Sequence, residues 1–186
     1  MKTKAVFAVI ILLMAYVESS AQAKFMTQSG SAKFFSSAPL EDIEAHHEKV
    51  QSIIDLESQE VVVSMLMTGF TFEKSLMQEH FNENYIESEK YPKASFQGTF
   101  SSEQPITADQ EGEYPVTVQG TLTIHGVAQP ISTTGTITVK DQRVVAQTKF
   151  NVKVADHDIE IPTIVFKNIA EVVEVTVNLA YQPFNS

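Results

Sequence analysis

The side chains that could do chemistry are few and scattered. Five histidines, His46, His47, His80, His125 and His157, are the natural candidates for a metal or a proton. His46 and His47 are adjacent, so on a strand they point to opposite faces and cannot share one ion without distortion. Asp156-His157-Asp158 has the residue types of a metal triplet. Three consecutive residues lack paired ligand spacing, however, and they read as a solvated loop. A zinc site from His46, His47, His80 and His157 would need remote residues to converge, and no helix carries histidines at i, i+4. Nucleophilic catalysis finds no cysteine and no Gly-x-Ser-x-Gly elbow. Glu79 and Glu83 pair at i, i+4 on the polar side of a helix, where like charges mark a solvated surface. The expectation is therefore no catalytic residue, no metal and no cofactor. His80 falls on an apolar helical face and reads as a buried, hydrogen-bonded core residue. His125 ends a strand before a glycine. It either bonds the turn backbone or meets a ligand head at a cavity mouth.

What remains is apolar chemistry, and it needs elements to position it. Within Phe70–Phe100 the chain switches from a strand period to a helical one. Leu76, Met77, His80, Phe81 and Tyr85 share one face of a helix expected over about 74–85. A short helical turn over Ile86–Tyr91 follows and Pro92 breaks it. An apolar helix inserted in a β chain has to lie against a sheet or cover a barrel.

The rest alternates with period two. Lys24–Ser37 reads as one or two strands, with Ala32, Phe34 and Ser36 on one side. Ile43–Val50 is ambiguous, because polar residues fall on both faces. Gln51–Leu56 and Glu60–Phe72 form a hairpin around Glu57-Ser58-Gln59. Val61, Val63, Met65 and Met67 make one face, while Val62 and Leu66 imply cover on the other face too. Phe96 and Phe100 share a face. Val116, Val118, Gly120, Leu122 and Ile124 form the cleanest row. Gly126–Pro130 reads as a turn, and Asp141-Gln142 as a tight hairpin turn. Rows from Ile131 to Val139, from Val144 to Val154 and from Val173 to Tyr181 complete the pattern, with a short apolar run at Ile164–Phe166. About eight strands without βαβ alternation predict an all-β, up-and-down antiparallel barrel or a strongly curled sandwich. A barrel of that size is either filled by side chains or holds one small ligand. Small residues such as Gly120, Gly135 and Ala146 beside Phe96, Ile124 and Phe150 fit a tunnel or a tapered, filled interior equally.

The ends and the charge set bounds. Lys2 and Lys4, the apolar run Ala5–Val17 and Ala21-Gln22-Ala23 have the form of a secretory signal peptide over 1–23, too short to span a bilayer. Export to the periplasm or beyond is expected, with 24–186 as one domain that no disulfide staples. Removing Lys2, Lys4 and Glu18 from a formal charge of −10 leaves −11. So acidic a chain lacks the footprint for nucleic acid or for anionic headgroups.

Three stretches resemble the YceI-like, polyisoprenoid-binding family of exported bacterial proteins. The first runs from Leu76-Met77-Gln78-Glu79-His80-Phe81 through Tyr91-Pro92 to Phe96. The second is Gly120-Thr121-Leu122-Thr123-Ile124-His125-Gly126-Val127 with Pro130. The third is the pattern of a late strand ending in an Asp-containing loop, Phe150–Asp158. The N-terminal part departs from the family: there is no tryptophan, and Phe72-Glu73-Lys74 precedes the helix. The resemblance implies a lipocalin-like barrel with a long apolar pore and no catalysis. The bound molecule would be an apolar small-molecule lipid, an isoprenoid such as a quinone tail or a fatty-acid derivative. The ligand-binding candidates are Phe34, Met65, Phe72, Met77, Phe81, Phe96, Leu122, Ile124, His125, Phe150 and Phe166. Stable membrane insertion is not expected; the oligomeric state is open, and edge pairing into a homodimer would suit such a barrel. The competing expectation is a ligand-free structural or stress-response protein acting through protein contacts.

Overall fold

The computed structural model describes residues 23–161 and 169–184. The expected leader, except for Ala23, lies outside the described residues, and so does the apolar run that contains Phe166. Among the described residues there are nine strands: β1 (Lys24–Ser37), β2 (Asp42–Asp55), β3 (Glu60–Leu66), β4 (Thr71–Phe72), β5 (Lys93–Ser102), β6 (Gly112–Ile124), β7 (Val127–Lys140), β8 (Arg143–Lys153) and β9 (Val172–Pro183). The helix α1 (Ser75–His80) sits between β4 and β5. The sheet order is β1-β9-β8-β7-β6-β5-β3-β2, and β1 pairs with β2 to close it. Every pairing is antiparallel, and β4 adds to β2 through Ala45↔Phe72. Eight strands thus form a closed barrel with β4 as an extra, as the alternating rows predict.

Several local expectations are corrected. The ambiguous Ile43–Val50 is part of β2, with Ala45, His47 and Val50 buried and the charged residues outside. Its inward row jumps from His47 to Val50 at an irregularity in the β1–β2 pairing opposite Gly30–Ala32, which breaks strict alternation. Val62 and Leu66 are not covered: they are 46% and 51% exposed on the outer wall. Nothing among the described residues packs α1 against them. Gly126–Pro130 is not a turn. β6 and β7 meet in a two-residue hairpin at His125-Gly126, both with positive φ (52° and 75°), and β7 starts at Val127. Positive φ at both central residues suits the right-handed twist of the flanking strands. Asp141-Gln142 makes the same kind of turn, with φ of 50° and 58°, as its spacing predicts. The helical segment ends in a π turn over Phe81–Tyr85, closed by Ile86 N–H donating to the Phe81 carbonyl at 2.9 Å.

Gly126 is required by its surroundings as well as by its φ. A Cβ there would lie 2.7 Å from the Tyr91 ring, which packs edge-on to the His125 imidazole with centroids 4.4 Å apart. The Tyr91-Pro92 step and the His125-Gly126 turn, remote in sequence, are one structural joint. Gly126→Ala is expected to lower unfolding stability by about 2 kcal/mol, from left-handed strain and the clash together. A urea titration measures it, and a loss below about 0.5 kcal/mol would show that the joint yields easily.

The two ends of the barrel differ. At one end Phe25, Ile54, Phe100, Tyr114, Val139, Val144 and Tyr181 are buried, and Ile106 plugs from the β5–β6 loop. At the other end Phe34, Met65, Phe72, Ile124, Phe150 and Val173 are only partly buried. The core is therefore solid below and hollow above.

Candidate functional site

The hollow is a cavity of about 600 Å³. Nine of the expected residues line it: Phe34, Met65, Phe72, Met77, Phe81, Phe96, Leu122, Ile124 and Phe150. Alternation explains the strand residues among them, since each inward row passes from the packed floor into the open upper half, and the helical face brings in Met77 and Phe81. Ala32, Phe70, Ile131 and Val175 also line it and were not singled out. Their inward rows in β7 and β9 and the aromatic spacing Phe70-x-Phe72 were the available signal. The wall is overwhelmingly apolar.

The helical segment covers the upper end. Leu76, Met77, His80, Phe81 and Tyr85 all border the cavity, as one helical face should. Phe81 anchors it. Its ring stacks on Phe34 at 5.6 Å and meets Phe70 at 5.6 Å and Phe72 at 5.1 Å. Aromatic contacts of this kind add about 0.5–1.5 kcal/mol each beyond area burial. At the start of α1, Lys74 Nζ donates to Glu41 Oε1 at 2.6 Å, tying the cover to the β1–β2 turn. That carboxylate holds the exposed Lys74 ammonium above its usual range. Burial pushes the Tyr85 hydroxyl up as well.

The histidines are rearranged relative to expectation. His80 is exposed at the cavity rim and not buried in a core. The face it shares looks onto open space, and amphipathic spacing cannot tell a cavity wall from packed protein. His157 is not in a solvated loop. It is 2% exposed in a 3₁₀ turn (Val154–His157), with Nδ1 3.1 Å from the Val127 carbonyl. His125 does not line the cavity. Its Nδ1 lies 3.1 Å from the His157 carbonyl and its Nε2 2.9 Å from Glu87 Oε2. Both partners are acceptors, so the imidazolium donates to both and the neutral ring to only one. His125 therefore bonds a turn backbone, but that of the remote Val154–His157 turn and not that of its own Gly126 turn. His46 and His47 do face opposite ways. His46 is outside beside Glu44, and buried His47 sits with Nε2 3.0 Å from the Leu66 carbonyl.

One polar couple sits in the packed floor. The Ser52 hydroxyl donates to the Val62 carbonyl at 2.8 Å and accepts from the Tyr181 hydroxyl at 2.8 Å. Burial pushes the Tyr181 hydroxyl far above its usual value, against the lowering effect of Ser52. The unfolded chain therefore releases that proton first, above pH ~10, and stability falls as pH rises beyond that point. Tyr181→Phe is expected to flatten this alkaline loss relative to the unmodified protein. Urea midpoints between neutral pH and pH ~11 check it, and parallel curves would refute the assignment.

The class these features define is a closed antiparallel barrel with an internal apolar chamber and a helical cover. The profile of the YceI-like domain matches residues 5–181, and the chain belongs to that family. Solved structures share the fold. A polyisoprenoid-binding domain from Saccharophagus degradans, described as implicated in plant cell wall breakdown, superposes with a TM-score of 0.74. The two are 18% identical, over 88% of this chain and 99% of that one. BcnA of Burkholderia cenocepacia gives 0.68 at 14% identity, over 81% and 95%. The YceI protein of Campylobacter jejuni gives 0.55 at 18%, over 76% and 85%. No curated protein is significantly similar in sequence. Among the described residues, no helix is long and apolar enough to cross a membrane, which leaves strand-based insertion unaddressed.

Proposed function

We propose that the protein binds the apolar tail of a lipid in its barrel, without catalysis, and does so after export. The cavity carries the reading. Its volume of about 600 Å³ lies in the range of small-molecule sites, about 300–1,000 Å³. At roughly 30 Å³ per water-sized group it holds on the order of twenty chain carbons. Each methylene taken from water gains about 0.8 kcal/mol, so even after ordering costs no charged partner is needed. Tail length and width set selectivity, and any polar head stays at the rim near Glu41, Lys74 and His80. Polyisoprenoid binding by the Saccharophagus degradans domain supports an isoprenoid tail, and a fatty-acid derivative fits the same wall.

Organic extraction and mass spectrometry of freshly purified protein are expected to yield one apolar-tailed lipid in near-stoichiometric amount. Repeatedly empty preparations that also fail to bind cis-parinaric acid, a fluorescent straight-chain fatty acid, would sink the proposal. Intact-mass analysis of protein from the cell envelope or medium is expected to show a chain starting at Lys24. A retained Met1 would remove the export part of the reading.

A further inference from the structure

The wall of the barrel is not uniformly laddered. β6 and β7 pair over their whole facing length, from Gly112↔Val139 to Ile124↔Val127. β7 and β8 pair only from Gly135↔Thr148 to Lys140↔Arg143. Above that point residues 127–134 and 149–153 have no ladder between them, although β8 stays paired to β9 through Lys153↔Val172. Two threonine hydroxyls mark where the ladder stops. Thr148 Oγ1 donates to the Thr134 carbonyl at 2.8 Å, and Thr133 Oγ1 lies 3.3 Å from both the Lys149 and the Thr134 carbonyls. At the top the two sides rejoin through the 3₁₀ turn. Gln129 Nε2 donates to the Asp156 carbonyl at 2.6 Å, and His157 meets Val127. The result, among the described residues, is a framed slot in one wall.

The cavity reaches this slot. Ile131, Thr133, Thr148 and Phe150 line both. The cavity also borders Thr136 and Gln147, a paired couple that the strand alternation places on the outer row, just below the slot. Pro130 lies in the unpaired run of β7, and Lys149 and Lys153 flank that of β8. Proline and lysine are the residues that keep an open strand edge from pairing with another chain. The sequence thus guards a slot that the ladder leaves open.

We propose that the slot between β7 and β8 is a lateral portal through which the apolar tail enters and leaves the cavity. This rests on the lipid-binding reading above. The upper end is the costlier route, since lifting the helical cover separates Phe81 from three rings and Lys74 from Glu41. Passage through the slot breaks no β ladder.

The chain has no native cysteine, so thiol pairs can be placed at will. Continuing the β7–β8 register sets Ser132 opposite Asn151, both exposed. Ser132→Cys/Asn151→Cys, joined by a short bifunctional maleimide, is expected to slow cis-parinaric acid association by about tenfold in stopped flow. Dissociation slows equally, so affinity stays within about twofold, because a blocked route alters both rates together. The same bridge on the laddered pair Thr138→Cys/Val145→Cys leaves the rates unchanged. Asn151→Cys alone, carrying a bulky maleimide, reproduces the slowing without a bridge and covers a cross-linked variant that misfolds. Unchanged rates with both slot variants, together with slowing when Glu41→Cys/Lys74→Cys is bridged, would overturn the portal and leave lipid binding standing. Failure of the unmodified protein to bind the probe overturns the lipid-binding reading itself.

Discussion

Ala146→Phe is expected to lower affinity for cis-parinaric acid on the order of a hundredfold while the protein stays folded. Ala146 lies on β8, opposite Ile137 and Leu179, and its methyl faces the cavity. A benzyl group there occupies space that a tail would otherwise fill. Denying about four methylenes at ~0.8 kcal/mol each removes ~3 kcal/mol of transfer free energy, which is roughly two decades in Kd. Large-for-small replacements destabilise packed cores because neighbours must move. Here the new ring enters open volume, so the urea midpoint should shift by less than the equivalent of ~1 kcal/mol. Ala180→Phe, on the exposed outer row of the adjacent strand, is the matched control and should leave binding unchanged. Titration by fluorescence with both variants checks it. If Ala146→Phe binds like the unmodified protein, the tail does not lie in this chamber.

The barrel and its inward rows were legible because strand alternation is a local signal that closure does not scramble. Phe34, Met65, Phe96, Leu122, Ile124 and Phe150 follow from it directly, and Met77 and Phe81 from the helical period. What could not be read depended on contacts between distant segments. His157 is buried because the 3₁₀ turn tucks its ring under Val127, 30 residues away, and nothing local distinguishes it from a loop histidine. His80 was misplaced for the opposite reason. An amphipathic face reports that one side is apolar, and not whether protein or empty space lies against it. His125 stands between these cases: its place in a turn follows from the glycine after it, but its partners, the His157 carbonyl and Glu87, do not. The β7–β8 slot is marked only by Pro130 and the flanking lysines, since both strands alternate cleanly whether or not they are laddered.

Gly98→Ala is expected to cost about 3 kcal/mol or more, a drop in Tm of roughly 10 °C. Gly98 and Gly120 are directly paired on the inward faces of β5 and β6. A Cβ on Gly98 would lie 2.2 Å from the Gln119 carbonyl oxygen and 2.7 Å from Phe96 Cζ. One on Gly120 would lie 2.4 Å from the Gln97 carbonyl oxygen and 2.6 Å from the Gly98 Cα. The nearest obstacles are backbone atoms held in the β5–β6 ladder, so relief requires parting the strands. The tip of the Phe96 ring lies against this glycine pair, with Cζ 2.7 Å from a Cβ built on either one. Gly98→Ala therefore strains the ladder and pushes Phe96 inward, and it should weaken probe binding as well as stability. Adding Phe96→Ala separates the two effects. Removing the ring clears the cavity but not the Gln119 carbonyl, so the double variant is expected to stay destabilised. Thermal unfolding of both variants decides it. Full recovery of Tm in the double variant would mean that the aromatic ring, and not the backbone, makes glycine necessary at this pinch in the wall.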